Sequence, residues 1–493
     1  MAISDTNGHI AIIGTGFSGL CMAIALKKKG IHDFTVFERS DDIGGTWRDN
    51  TYPGAACDVP SVLYSYSFAQ NPDWTRIFPP WSELHDYLRR VADEYGLIPH
   101  IRFGAEVAEM RFDEAGLGWT LQLASGEEVF AAVVVNGSGG LSNPFVPRLT
   151  GLETFEGVAF HSAQWQHDLD LTGRRVAVIG SAASAIQFVP EIAASTESLI
   201  VFQRTPNWIL PRGDAPLPEA TRAAFARSPW RQRWSRWRTY WVFERLASAF
   251  LGDRRRIENY RHAALAELER QVPDPALRAK VTPAYDPGCK RRLVSDAWYP
   301  ALQRENVHLV TDAVSEVRPG SIVTATGEEH EVDTIIFATG FQPTNFLAPM
   351  KVFGWGGTEL SDTWRNGAAT KLGIATSGFP NLFFLNGPNT GLGHNSVVFM
   401  IEAQARYITS AIRHMRRYGI AALDLDRTVQ RRAYDHTQWR MRRTVWASGG
   451  CTSWYQSEDG RIDTLWPGTT VEYWARTKIF RKSDYHRLTT GKN

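Results

Sequence analysis

Residues 9–30 read HIAIIGTGFSGLCMAIALKKKG. An apolar run, Ile10 to Ile13, meets Gly14, Gly16 and Gly19 and passes into a helical apolar pattern. In this strand–turn–helix setting the first glycine permits the tight turn and the second lets backbone approach a pyrophosphate. The third lets helix pack on strand, and the helix N-terminus favours the phosphate charge. The unit closes on FTVFERS, where Glu38 follows Gly14 by 24 residues and ends a second strand with a carboxylate suited to ribose hydroxyls.

Residues 174–187, RRVAVIGSAASAIQ, repeat the setting around Gly180, Ser181, Ser184 and Gln187, but Ala182 and Ala185 stand where the second and third glycines belong. Alanine is tolerated at the third position, whereas Ala182 adds a methyl group where backbone should approach the pyrophosphate. Counting the same 24 residues from Gly180 lands on Arg204 in LIVFQRT. A guanidinium there suits a ribose 2′-phosphate that a carboxylate would repel. The first site therefore reads as built for an unphosphorylated ribose and the second for NADP. A lapsed second site whose helix only packs is the competing reading, and Arg204 at the matched offset argues against it. Two further apolar strands run into glycine turns, VVVNGSGG (133–140) and IIFATGF (335–341), one after each fingerprint, with a proline-bearing linker at 143–147.

GGTW (44–47) and YPGAACDVPS (52–61) follow the first ribose strand closely, so Gly45, Thr46, Trp47 and Asp58 extend that site toward a ligand longer than an adenine nucleotide. FAD fills this description, and with NADP alongside, hydride transfer from nicotinamide to flavin is the simplest chemistry. No CxxC pair marks a disulfide as electron acceptor. A protein partner or dioxygen is left.

The chain of 493 residues, 43% hydrophobic and 22% charged, is expected to form two or three globular domains. A net charge of +2 argues against a dedicated nucleic-acid binder. Cys21, Cys57, Cys289 and Cys451 are scattered, form no metal-ligand cluster and fit a reduced, cytoplasmic compartment. The stretch MAISDTNGHI lacks the parts of a signal peptide, and no run of 18 apolar residues predicts a membrane span.

Between the two fingerprints FEGVAFHSAQW places Phe155, Gly157, His161 and Trp165 as FxGxxxHxxxW. Here the sequence resembles the class B flavoprotein monooxygenases, and Trp165 resembles the Baeyer–Villiger branch rather than the N- and S-oxygenating branch. GGTW, YPGAACDVPS, FQRTPNW, GCKRRLVSDAWYP, IIFATGF and NLFFLNGP occur in the family order, so the likeness covers nearly the whole chain. Gln166, where the motif usually continues with Pro or Asp, and Ala182 depart from the pattern.

The resemblance implies an α/β fold of two Rossmann-like dinucleotide-binding domains (FAD and NADP) with a helical insertion. Residues 1–145 and 379–493 would form the FAD domain and 146–378 the NADP domain, including the insertion at 214–287. It implies NADPH- and O2-dependent conversion of a ketone to an ester or lactone through a C4a-peroxyflavin, with sulfur or nitrogen oxygenation as the enzymatic rival. A flavin-binding regulatory protein with a lapsed NADP site is the rival of another class. Arg291 matches the family's active-site arginine, Asp58 the carboxylate that positions it, and Lys290 a residue reaching the NADP phosphate with Arg204 and Thr205. Trp454 matches a tryptophan near the nicotinamide ribose, and His161 is expected to couple the domains. Read from residues alone, KRR triplets are usually solvated, Asp58 suits a turn, and the Trp454 indole suits a core.

Residues 221–256 hold ten arginines against two acids, with Trp230, Trp234, Trp237 and Trp241 on one helical face. That face is expected to pack on the protein itself, and by resemblance to help frame the substrate cavity. An anionic membrane surface and single-stranded nucleic acid are the alternative partners.

Overall fold

Two five-stranded parallel sheets carry the molecule in the computed structural model, which describes residues 8–342, 346–347, 349–457 and 459–489. Met1–Asn7, on which most of the signal-peptide reading falls, lies outside them. In the first sheet the central strand Ile10–Ile13 is flanked by Phe34–Phe37 and Val133–Asn136, with Ile101–Arg102 and Leu382–Phe384 outermost. In the second, Arg175–Ile179 is flanked by Ser198–Phe202 and Thr334–Phe337, with Val307–Val310 and Val158–His161 at the edges. The repeated strand–glycine signals at 133–140 and 335–341 thus occupy the same place in both sheets. The inner strands are buried along most of their length, as expected for a parallel sheet covered on both faces.

The helix Phe17–Lys27 shows why the third glycine is needed. A Cβ on Gly19 would collide with the Gly14 carbonyl. Gly14 (φ 90°) and Gly180 (φ 110°) hold left-handed backbone at the two turns, where glycine alone is unstrained.

The strand Lys351–Phe353 pairs with Val107–Asp113 in a four-stranded sheet, and Val352 shares a core with Ile13, Phe37 and Phe384. The chain thus rejoins the first unit well before residue 379, where the sequence reading set the return. Glycines and prolines through this region give no sharp composition change to mark it.

The insertion also sits differently from expectation. In the helix Pro229–Arg245 the inward face is polar: Gln232, Arg236, Tyr240 and Glu244 meet the first unit. Gln232 donates to the Asn71 carbonyl, and the Arg236 guanidinium donates to the carbonyls of Val62 (2.9 Å), Leu63 (3.0 Å) and Ser65 (3.0 Å). Burial of Glu244 alone would raise its pKa, but His394, Thr470, the Val471 N–H and Asn395 bring it down to about 2. The four tryptophans point outward, exposed by 64, 59, 52 and 38% along the chain, so the stripe does not pack on its own protein. Periodicity identified the residues that share a face; the buried carbonyls and hydroxyls decided which face turned in. Among the described residues no helix is long and apolar enough to cross a membrane.

One pairing departs from the reading of four reduced cysteines. Cys289 and Cys451, 162 residues apart, form a disulfide, while Cys21 and Cys57 are free and buried. No local spacing signals a bond between such distant positions.

Candidate active site

Both glycine turns open into one cavity of about 1160 Å³. On the first side it is lined by Gly14, Gly16, Glu38, Gly45, Thr46 and Trp47. Gly45 lies against Gly16, so that a Cβ on Gly45 would stand 3.2 Å from the Gly16 Cα, and the GGTW turn folds directly onto the fingerprint. The buried Glu38 carboxylate accepts from the Thr15 N–H (3.0 Å) and hydroxyl (2.6 Å) and from the Ser40 N–H (3.0 Å), and pairs with Arg48 at 2.9 Å. Gly19 is the exception among the first three glycines, since it packs helix on strand behind the cavity.

On the second side the cavity is lined by Gly180, Ser181, Ala182, Ser184, Gln187, Arg204, Thr205 and Lys290. Ala182 is exposed to the cavity and its backbone is not left-handed, so no glycine is required there for conformation. Lys290 is pushed below its usual value by burial and then by Arg204. Among the described residues neither cation forms an ion pair with a carboxylate, so two positive charges stand together at the cavity wall. Gln187 does something the sequence did not suggest. Its amide donates to the Ala56 carbonyl (2.9 Å) and accepts from the Tyr52 hydroxyl (3.0 Å), bridging the two units.

The segment 51–58 is the seam. Besides Gln187, His167 meets the Thr51 hydroxyl at 2.7 Å and Arg212 donates to the Cys57 carbonyl at 3.2 Å. Arg291 completes the seam with a bidentate grip on Asp58: Nε to Oδ2 at 3.0 Å, Nη2 to Oδ1 at 2.8 Å and Nη2 to Oδ2 at 2.6 Å. The Asp58 charge raises the Arg291 pKa further, against the opposing effect of burial. Fork-to-carboxylate geometry fixes direction as well as charge. Both residues line the cavity, so the solvated-surface reading of Arg291 does not hold.

Trp454 lies 41% exposed at the cavity wall, tilted against Tyr455 with ring centroids 4.8 Å apart, and is no core residue. The sequence reading missed Tyr455, which is buried beside Arg291 and has its phenol pushed up by that burial. The disulfide ties the loop bearing Lys290 and Arg291 to the segment bearing Trp454 and Tyr455.

The motif residues 155–165 stand behind the site. Gly157 is pressed between the Asp333 carbonyl and the Phe155 ring, leaving no room for a side chain. Trp165 packs edge-on against Phe160 and tilted against Phe188. His161 accepts from the Ala163 N–H at 3.1 Å through Nδ1, so Nε2 carries the proton toward the Gly340 carbonyl at 3.0 Å. The same carbonyl accepts from the Phe145 N–H in the linker at 2.9 Å. His161 is thus joined to the inter-unit linker through one shared acceptor.

This arrangement has close parallels. A Baeyer-Villiger monooxygenase of Pseudomonas aeruginosa is 46% identical over 98% of this chain and 92% of its own length. One of Streptomyces coelicolor is 45% identical over 97% of this chain and 92% of its own. The chain belongs to the Baeyer–Villiger monooxygenase family. A flavin-binding monooxygenase-like (FMO-like) family model matches residues 7–218. An oxidized steroid monooxygenase bound to NADP superposes on this family member with a TM-score of 0.87 at 31% identity, covering 98% of this chain and 99% of that one. A closed cyclohexanone monooxygenase does so with a TM-score of 0.87 at 26% identity, with the same coverage.

Proposed function

We propose that this Baeyer–Villiger monooxygenase family member uses NADPH and O2 to insert one oxygen atom beside the carbonyl of a ketone, giving an ester or lactone. The bidentate Arg291–Asp58 pair carries this reading, because it sets a fixed cation in the cavity where the two nucleotide turns meet.

The lining fits the two cofactors. Gly14, Gly16, Gly45, Thr46, Trp47 and Glu38 would hold FAD, the glycine-against-glycine contact leaving backbone free to approach a pyrophosphate. Gly180, Ser181, Ser184, Arg204, Thr205 and Lys290 would hold NADPH, with the two uncompensated cations taking the 2′-phosphate. When bound, these groups supply the reducing hydride and the activation of dioxygen.

Arg291 then meets the negative charge that develops on the substrate's carbonyl oxygen, and a donor already in place spends no reorganisation at that moment. Asp58 keeps the guanidinium aimed. Tyr455 and Trp454 close one wall, while Leu392, Ile401 and Leu465 make another wall apolar and favour the expulsion of water. Gln187 holds the seam and, lining the same cavity, would also border the bound NADPH.

Incubation of the flavin-loaded protein with NADPH, air and a panel of linear, cyclic, aryl and steroidal ketones tests the proposal. Ester or lactone formation coupled to NADPH consumption is expected. Sulfoxides from added sulfides with no ester from any ketone would overturn it.

A further inference from the structure

The helix Pro229–Arg245 turns its indoles to solvent, and three of them form a continuous surface: Trp234 stacks on Trp237 with centroids 4.8 Å apart, and Trp241 meets Trp237 edge-on at 6.4 Å. Arg231, Arg238 and Arg245 are exposed at positions that fall, at 100° per residue, in a row beside the indoles. Among the described residues none of these three arginines is paired with a carboxylate; Arg231 lies over the Trp230 ring instead. The acid of this helix, Glu244, is buried and held by Asn395, Thr470 and the Val471 N–H. The outer face therefore presents cations without counter-charges beside apolar rings that pack mainly on one another and stay open to solvent.

We propose that this face docks the protein on an anionic lipid bilayer, with the helix lying in the interfacial plane. Indoles are favoured at the level of the headgroups, where their apolar body and N–H are both satisfied. Arginines beside them meet lipid phosphates, and the combination of buried apolar area and charge attraction sets the strength of such binding. Single-stranded nucleic acid offers the same charge, but its bases stack on free ring faces, and Trp234 and Trp237 already stack on each other. The inner face supplies the other requirement. Gln232, Arg236, Tyr240 and Glu244 anchor the helix to the first unit, so it can dock without unfolding. None of the indoles lines the cavity, so docking would position the whole enzyme without altering its chemistry.

Sedimentation of the FAD-loaded protein with vesicles tests this, using phosphatidylcholine alone and phosphatidylcholine with about 30 mol% phosphatidylglycerol. Binding is expected to the anionic vesicles and to weaken with salt. W230S/W234S/W237S should reduce the partition at least about tenfold, and R231Q/R238Q/R245Q about a hundredfold. Both variants should keep their flavin and their NADPH oxidation in solution, which separates lost docking from lost folding. Wild-type protein that stays in the supernatant overturns the proposal. So does vesicle binding unaffected by the tryptophan substitutions, or a dimer that those substitutions dissolve while vesicles bind nothing.

Discussion

Arg291 and Asp58, 233 residues apart in sequence, are joined by three hydrogen bonds across the seam between the nucleotide-binding units. The pair does two things at once. It holds the loop after Cys289 against the segment 51–58, and it leaves a cation of fixed direction in the cavity. Arg291→Ala should leave anaerobic bleaching of the flavin by NADPH within a few-fold of wild type while ester formation falls by about a hundredfold to a thousandfold. Asp58→Ala should lower ester formation less, about tenfold to a hundredfold, because the charge persists but loses its aim. Stopped-flow reduction and product analysis on the same preparations check both.

Arg204 and Lys290 should set coenzyme choice. Arg204→Ala is expected to raise KM for NADPH about tenfold to a hundredfold with little change for NADH. Lys290 carries its charge only below its lowered pKa, so the preference for NADPH should decline as pH rises through a value beneath the ordinary lysine 10.5. Removing Arg204 removes one cause of that lowering and should move the alkaline limb upward. Dissociation constants for both coenzymes across alkaline pH decide the matter.

His161 offers a stability test. Burial lowers its pKa from the ordinary 6.5, against a smaller opposing effect of the Gly340 carbonyl. Below pH 6.5 the unfolded chain takes up a proton at this position that the folded chain refuses. Its contribution is thus fully present above the unfolded value and is lost as pH falls through the folded one. Urea unfolding of wild type and His161→Gln should show a stability difference that shrinks on acidification within that window and is constant above it.

Gly54 marks how closely the units approach. Its φ is 73°, and a Cβ there would lie 2.7 Å from the Gln187 carbonyl oxygen. Gly54→Ala should therefore destabilise by about 2–3 kcal/mol, adding the clash to the backbone strain. Gly104→Ala, at φ 62° with open space around it, should cost only about 1 kcal/mol. Paired thermal melts separate the two contributions.

The parts legible in the sequence are those fixed by local backbone chemistry. Gly14 announces a left-handed turn and Gly19 a helix packed tightly on its strand, and Glu38 and Arg204 follow at offsets set by one strand–helix–strand circuit. Tyr455, the Cys289–Cys451 bond and the return at Lys351–Phe353 depend on contacts between distant segments and leave no periodic trace. The tryptophan helix shows a third case. Its spacing defines a face, but Arg236 satisfying three backbone carbonyls outweighs the preference of indoles for the interior. The Arg291–Asp58 pair was legible through family likeness, since neither KRR nor CDVPS carries the pairing in its own spacing.

Oxidation of a ketone under isotopically labelled dioxygen tests the central claim most directly. With NADPH and 18O2, each ester or lactone molecule should gain one heavy atom at the bridging oxygen, and Arg291→Ala should give almost no labelled ester while still oxidising NADPH. Ester carrying only unlabelled oxygen, or undiminished labelled ester from the Arg291 variant, would contradict the account.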